Sequence, residues 1–307
     1  MTRRIRTYHE VADPAGEDVL AQVGAQERRL AERMAGIGRV VAVGSGKGGV
    51  GKSAVAANLA AALAAGGLRV GAADGDLHGP TLARMLGAAR GPLTIGPAGV
   101  EPAEGAAGVR VISMDLLLES DDAPLRWREP DAGGFVWQST LETGALRELL
   151  ADVAWGALDV LVVDLPPGSD KLARLLALLP RIDTLVLVTT PSEAARFVVA
   201  KSARAAREAG VAEMGLVANM VAYQCPACGT LEALYEADGA RALAEATGLP
   251  VWAEVPFEPR LAAATDAGRP PVLDCAATPA VLALRGLAAR IAAGLDAPPG
   301  GEGLARR

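Results

Sequence analysis

Eight consecutive residues have the types and the spacing of a phosphate-binding loop. They read Gly46-Lys47-Gly48-Gly49-Val50-Gly51-Lys52-Ser53. In such a loop the glycines let backbone N–H groups close around a β-phosphate, the final lysine reaches the β- and γ-phosphate oxygens, and the serine hydroxyl ligates Mg²⁺. We therefore predict that the chain binds and hydrolyses a nucleoside triphosphate, with Lys52 on the phosphates and Ser53 on magnesium.

Acidic residues follow two apolar segments further along the chain. Asp74 and Asp76 come after one such segment, and Asp164 ends another. A carboxylate beside bound phosphates can orient water or a magnesium-bound water, and Asp164 has the position of a Walker B carboxylate that holds magnesium through water. The first pair could instead be a solvated acidic turn, and a lone Asp after a strand is often a helix cap. Because a phosphate-binding loop lies upstream, we interpret Asp164 as a magnesium-binding residue and not as a helix cap.

Two cysteines, Cys225 and Cys228, form a Cys-x-x-Cys pair, whereas the third, Cys275, has no close thiol partner. Two thiolates at this spacing can chelate one soft metal centre. Zinc and iron-sulfur clusters normally take four ligands, and a symmetric dimer would supply the missing pair. A redox-active dithiol and a structural zinc that bridges a dimer remain alternatives.

The elements that must position these groups alternate between strand and helix. Apolar runs that predict strands lie at 39–43, 68–73, 109–114, 158–163, 184–189, 214–219 and 251–255. Such runs suit a doubly wound, mostly parallel α/β sheet, in which ligands bind beyond the carboxyl ends of the strands. We expect a short, partly helical N-terminal appendage at 1–38, one P-loop ATPase domain at 39–295 and a disordered tail at 296–307.

The composition limits the classes of partner. Of 307 residues 51% are hydrophobic but only 3% aromatic, so few rings are available for stacking on nucleic-acid bases. The net charge of -6 argues against a generic binder of DNA or of anionic membranes. No apolar run is long enough to span a bilayer, and the first residues lack the apolar core of a secretion signal. We expect a cytoplasmic protein whose cysteines are reduced or bound to metal.

An ordinary phosphate-binding loop does not need the extra lysine, Lys47. Further segments follow in a recognisable order: Asn219-Met220, Cys225-Pro226-Ala227-Cys228-Gly229, Val255-Pro256-Phe257 and Gly268-Arg269-Pro270-Pro271-Val272. Together they resemble the Mrp-type (ApbC-like) iron-sulfur cluster carrier ATPases, which belong to the MinD/ParA group with a deviant Walker A loop. The resemblance runs from about Gly38 to about Leu295.

This resemblance implies a homodimer that binds ATP and Mg²⁺. In the family, a [4Fe-4S] cluster bridges the two chains through the paired cysteines and passes to apo-proteins, and ATP binding or hydrolysis controls the cycle. Carried over, Cys225 and Cys228 ligate the cluster, and Lys47 crosses the dimer interface to the nucleotide of the partner.

The resemblance also implies roles around the nucleotide. Asp76 activates water in the segment called switch I, Asp74 supports the metal shell, and Asn219 contacts adenine. The Gly168 amide senses the γ-phosphate in a switch II segment that is one residue shorter than the family pattern.

Two other classes of ATPase share part of this pattern. A MinD/ParA-like positioning ATPase would need a basic amphipathic terminal helix or a basic surface, and the cysteine pair would have no purpose there. A nickel-insertion ATPase would also use a cysteine pair in a dimer. The identity of the bound metal discriminates between these classes.

Overall fold

The computed structural model describes residues 19–77, 79–89, 91, 93–117, 135–236, 238–274 and 277–295. Its strands are β1 Ile37–Gly44, β2 Val70–Asp74, β3 Ile95–Gly96, β4 Gly99–Val100, β5 Ala103–Glu104, β6 Arg110–Ile112, β7 Leu158–Asp164, β8 Thr184–Thr189, β9 Glu213–Gln224, β10 Leu231–Ala233 and β11 Val251–Phe257. Its α-helices are α1 Val19–Ala35, α2 Lys52–Ala65, α3 Leu82–Met85, α4 Phe135–Asp152, α5 Ser169–Leu178, α6 Glu193–Glu208, α7 Gly239–Thr247, α8 Pro259–Asp266 and α9 Pro279–Ala293. Short 3₁₀ turns lie at Ala106–Gly108, Met114–Leu117 and Pro271–Leu273.

The main sheet within the described residues has the strand order β10-β9-β8-β1-β7-β2-β6-β5, and β11 pairs with β9. The pairs among β1, β2, β6, β7, β8, β9 and β11 are parallel, whereas β5 and β10 run antiparallel to their neighbours. In the register of the sheet, Asp164 at the end of β7 lies between Val43 of β1 and Asp74 of β2. The sheet therefore brings the phosphate-binding loop and both acidic segments to one edge.

Alternate residues of β1 point into two different apolar layers. Val40 and Ala42 pack into the layer that contains Trp155, and Val41 and Val43 pack into the layer that contains α2. Because both faces of the sheet are covered, its strands are continuously apolar instead of alternating. The predicted doubly wound, mostly parallel α/β fold is confirmed.

Helix α1 belongs to the segment that the sequence assigned to an appendage. Its residues Leu30 and Met34 are buried in one of the two apolar layers, and Gln26 donates a hydrogen bond to Glu148 of α4 over 3.1 Å. This helix therefore packs against the sheet domain. Residues 1–18 and the predicted disordered tail at 296–307 lie outside the described residues, as does Cys275. The division of the chain at these positions stays a prediction.

Strand β9 is longer than the apolar run predicted. The run at 214–219 indicated an end at Asn219, but the strand continues to Gln224. The extension pairs with β10, since Ala222, Tyr223 and Gln224 lie opposite Ala233, Glu232 and Leu231. The polar Asn219 interrupts the apolar residues of β9, so a search for apolar runs placed the end of the strand there. The cysteine pair consequently lies in the loop that connects β9 and β10, at the tip of a β-hairpin.

None of the helices in the described ranges is both long and apolar enough to cross a membrane.

Candidate functional site

The predicted phosphate-binding loop lies between β1 and α2. Gly49 and Gly51 have φ angles of 75° and 81°, in the left-handed region that glycine adopts without strain. Gly48 and Gly49 are exposed, and a β-carbon on either would meet no heavy atom within 4 Å. The loop thus leaves the N-terminus of α2, which stabilises anions, accessible to a phosphate group.

Lys52 and Asp164 form a buried ion pair beneath this loop. Nζ of Lys52 lies 2.5 Å from Oδ1 of Asp164, and the two side chains are 7% and 0% exposed. The same Nζ donates a hydrogen bond to Oγ of Ser53 over 3.2 Å. The residues predicted to bind phosphate and magnesium are therefore in direct contact.

One oxygen of Asp164 is buried without a partner. Its Oδ2 has no hydrogen-bond partner among the described residues. Burial raises the pKa of this carboxyl, and the neighbouring Lys52 charge opposes that rise. A free carboxylate oxygen beside the Ser53 hydroxyl fits Mg²⁺ or its water ligands, which prefer oxygen donors. The described part of the chain has no group of three or more His, Cys, Asp or Glu side chains that could hold a metal by themselves.

Asp74 is buried at the end of β2 and braces the turn that follows. Its Oδ2 accepts hydrogen bonds over 2.9 to 3.0 Å from the amides of Thr81 and Leu82 and from the hydroxyl of Ser113. The sequence predictions did not include Ser113. Its position directly after β6, the strand next to β2, could have indicated that it lies near Asp74.

The Asp76 carboxylate, predicted to activate water, lies two residues beyond Asp74 and is half-buried. One of its oxygens accepts a hydrogen bond from the Gly79 amide over 3.2 Å. Burial has the larger effect in raising the pKa of Asp164, and the negative charge of Asp76 raises it further. The two carboxylates are therefore close enough to interact, and the role of Asp76 stays a prediction.

Two further segments contact the phosphate-binding loop or Ser45, the residue directly before it. The side-chain amide of Asn219, 8% exposed, donates a hydrogen bond to the Val50 carbonyl over 2.8 Å. The Gly168 amide donates to the Ser45 carbonyl over 3.0 Å. Lys47 is half-buried in the loop itself. The structure thus places Asn219 under the loop, which the sequence predictions did not foresee, and its adenine contact stays a prediction.

The cysteine pair occupies the tip of the hairpin formed by β9 and β10. The Cys225 amide donates to the Thr230 carbonyl over 2.9 Å, and the Gly229 amide donates to the Cys225 carbonyl over 2.8 Å. Cys228 is exposed, and its Sγ lies 3.2 Å from Oγ1 of Thr230. Hydrogen bonds from the Thr230 side chain and backbone lower the pKa of the Cys228 thiol, which favours the metal-binding thiolate.

A family model described as NUBPL iron-transfer P-loop NTPase matches residues 36–292. The chain belongs to this family. The match includes the phosphate-binding loop, both acidic segments and the cysteine hairpin. The resemblance on which the site predictions rest is therefore confirmed, and the chain is a member of the P-loop NTPases.

Curated relatives of this family member have names that refer to iron-sulfur clusters. An iron-sulfur cluster carrier protein of Saccharolobus solfataricus is 38% identical over 250 residues, which are 81% of each chain. The cytosolic Fe-S cluster assembly factor NUBP2 of Homo sapiens is 35% identical over 272 residues, 87% of this chain and 95% of the human one. These similarities support a role of this chain in carrying iron-sulfur clusters.

Solved structures of other P-loop proteins share the fold. A nucleotide-binding protein of Archaeoglobus fulgidus, in complex with ADP, is 33% identical and has a TM-score of 0.66 over 79% of this chain and 91% of the other. The cell division ATPase MinD of Pyrococcus furiosus is 23% identical, with a TM-score of 0.57 over 83% and 99% of the two chains. The second likeness concerns the fold alone.

In this NTPase, Asp74 is expected to link nucleotide binding to pH. Burial first, and the Asp164 charge second, raise the pKa of Asp74 to about 7. Because a magnesium ion favours the carboxylate form, binding of Mg-ATP should release a proton, and its affinity should fall as the pH drops through about 7. Calorimetric titrations in two buffers of different ionisation enthalpy measure this release.

The matched control for this experiment is Asp74→Asn, which should remove most of the released proton. Equal proton release by both proteins would contradict the assignment to Asp74. The same linkage affects the protein without nucleotide. Since the folded-state pKa of Asp74 lies above the ordinary aspartate value of 3.8, the free energy of unfolding should decline as the pH rises from 3.8 through about 7.

Proposed function

We propose that this chain is an ATP-dependent carrier of [4Fe-4S] clusters that acts as a homodimer in the cytoplasm. The observation that carries the proposal is the position of Cys225 and Cys228 at the tip of a hairpin built on β9, the strand that also contacts the phosphate-binding loop through Asn219. The names of the curated relatives support the cargo, and the location in the name of the human relative supports the compartment.

The cysteine pair supplies half of the ligands that a four-iron cluster takes. A second copy of the chain, related by a two-fold axis, would supply the other half from the same hairpin. The exposed Cys228 favours the transfer of such a cargo, because the thiols of an apo-protein can approach and replace it as ligand. The hydrogen bonds with Thr230 lower the pKa of its thiol, which favours the thiolate form that binds iron.

ATP would bind at the carboxyl edge of the sheet. Lys52 and the loop amides would hold the phosphates, and Ser53 and Asp164 would hold magnesium and its waters. When bound, the ion would supply positive charge to the phosphate groups. Asp76 orients the attacking water. Lys47 of the second copy would add positive charge at the nucleotide, so that hydrolysis depends on the dimer.

Metal analysis tests the proposed function. After anaerobic purification and cluster reconstitution, we expect the dimer fraction to contain about two iron and two sulfide per chain, the stoichiometry of one cluster on four thiolates. Detection of zinc without sulfide would contradict the carrier function and indicate an ATPase with a structural zinc. Nickel would favour an insertion ATPase, and the absence of all three metals would favour a positioning ATPase.

The surface around the phosphate-binding loop offers a test of the dimer. Phe197 of α6 is 69% exposed, and a β-carbon on Gly46 would lie 2.7 Å from the neighbouring Val198. Phe197 thus adjoins the loop that carries Lys47 and would enter an interface between two such loops. We predict that Phe197→Glu weakens ATP-dependent dimerisation at least about tenfold, since burying an unpaired carboxylate is costly.

Analytical ultracentrifugation with a non-hydrolysable ATP analogue measures this effect. Leu282→Glu is the matched control, because Leu282 is 54% exposed but lies on α9, which packs against α2 on the other face of the sheet. Equal dimerisation of the wild type and the Phe197 variant would place the interface elsewhere.

A further inference from the structure

Strand β9 connects the two halves of the candidate site over a very short distance in sequence. Its residue Asn219 contacts the phosphate-binding loop, and its last residue, Gln224, precedes the first cysteine. A β-carbon on Gly51 would lie only 2.3 Å from Nδ2 of Asn219, so the loop rests directly on this side chain. A displacement of the loop at Gly51 would therefore push on Asn219 and so act on β9.

The backbone changes character at Met220, directly after Asn219. Met220 has a φ of 59°, in the left-handed region, and it is one of two such non-glycine residues in the described part of the chain. Residues with a β-carbon are strained in this region and stay there only when their surroundings hold them. Met220 therefore holds a backbone conformation that costs energy and that its surroundings maintain.

The pairing of β9 is also irregular at this point. Asn219 lies opposite Val255 of β11 and Tyr223 lies opposite Phe257, so four steps on β9 correspond to two on β11. The hydrogen-bonded ladder thus loosens between these two pairs. A change at Met220 can be absorbed there without disrupting the sheet on either side.

Beyond the irregularity, the hairpin is held as a unit. The rings of Tyr223 and Phe257 stack with their centroids 6.5 Å apart and their planes at 27°. Arg260 donates a hydrogen bond to the Pro226 carbonyl over 3.2 Å. Together with the pairing of β10, these contacts mean that a rotation at Met220 would move both cysteines together.

We propose that Met220 is a positioning residue that couples the occupancy of the phosphate-binding loop to the presentation of Cys225 and Cys228, an inference that rests on the proposed function. Its strained backbone keeps the segment between Asn219 and the hairpin stiff, so that movement of the loop reaches the thiols. Coupling of this kind is reciprocal, and a ligand on the thiols must change the affinity for nucleotide by the same factor.

The test uses thiol reactivity in the cluster-free protein. We expect Mg-bound ATPγS to change the rate of alkylation of Cys228 by N-ethylmaleimide about fivefold in the wild type, within the usual range of such couplings. Met220→Gly should reduce this change to less than about 1.5-fold, because glycine adopts either conformation without strain and makes the link flexible. Its nucleotide affinity and its ATP-dependent dimerisation should stay within about twofold of the wild type.

Met220→Ala is the matched control. Alanine keeps a β-carbon and therefore the strain, so its response to the nucleotide should match the wild type. A full response in Met220→Gly, or an equal loss in both variants, would overturn the proposal. Iron and sulfide content, measured separately on each protein, tests the carrier function itself, because the alkylation experiment does not depend on cluster binding.

Discussion

Replacing Lys52 by methionine should weaken the binding of Mg-ATP at least about tenfold and lower the hydrolysis rate about a hundredfold or more. The first effect follows from the loss of charged hydrogen bonds to the phosphates, each worth about 1.5–3 kcal/mol. The second follows because such a charge contributes most where negative charge develops in the transition state. Isothermal titration and a phosphate-release assay measure the two quantities.

The same substitution should also destabilise the protein without nucleotide. It removes the partner of Asp164, whose side chain is fully buried, and breaking a buried ion pair in this way costs about 3–5 kcal/mol. Loss of Lys52 removes an influence that lowers the pKa of Asp164, so that pKa should rise further. Because the folded-state pKa then exceeds the unfolded value, the deficit in the free energy of unfolding should shrink as the pH is lowered toward 3.8.

Urea unfolding of a matched double variant, Lys52→Met with Asp164→Asn, separates the two effects. The double variant should regain most of the lost stability at neutral pH but remain unable to hydrolyse ATP. If it were as unstable as Lys52→Met, the destabilisation would have another origin than the unpaired carboxylate.

The sequence allowed the sheet to be predicted because its strands are buried on both faces. Within the strand Leu158–Asp164, residues 160–163 are all apolar and the next residue is a carboxylate, and this pattern marks both the strand and its carboxyl end. The extension of β9 beyond Asn219 escaped this criterion. It is only half-buried and is stabilised by β10, a partner that lies seven residues further along the chain.

The candidate site was predictable to the extent that chemistry is encoded in local spacing. The glycines around Lys52 and the spacing of Cys225 and Cys228 identified two groups of residues independently. Contacts between segments that are distant in the sequence were not predictable in this way. The hydrogen bond from Asn219 to the phosphate-binding loop joins positions 169 residues apart, and no local pattern specifies it.

The left-handed backbone of Met220 was equally inaccessible from the sequence. Methionine disfavours that conformation, so local preference pointed to continued extended strand. The structure adopts it where the loop contact of Asn219 and the pairing with β10 must both be satisfied. Tertiary contacts thus override the local preference at the junction between the two groups of predicted site residues.

Replacement of Cys228 by alanine is expected to remove the cluster and leave nucleotide binding intact. Iron and sulfide should fall from about two each per chain to background, because the dimer would keep only two of the four thiolates that a four-iron cluster takes. Since the hairpin tip is exposed and the substitution removes no buried contact, the affinity for Mg-ATP, compared between the cluster-free proteins, should change less than about twofold. Equal loss of both properties would contradict separate roles for the hairpin and the phosphate-binding loop.

Two controls make this experiment specific to the Cys-x-x-Cys pair. Cys275→Ala removes the remaining thiol of the chain and should leave iron and sulfide unchanged, whereas cluster loss in this variant would add a third ligand to the assignment. Thr230→Val removes the hydroxyl beside Cys228, so the pKa of that thiol should rise and its alkylation near neutral pH should slow. A graded decline of cluster retention from wild type through Thr230→Val to Cys228→Ala would show that the thiolate form of Cys228 holds the iron.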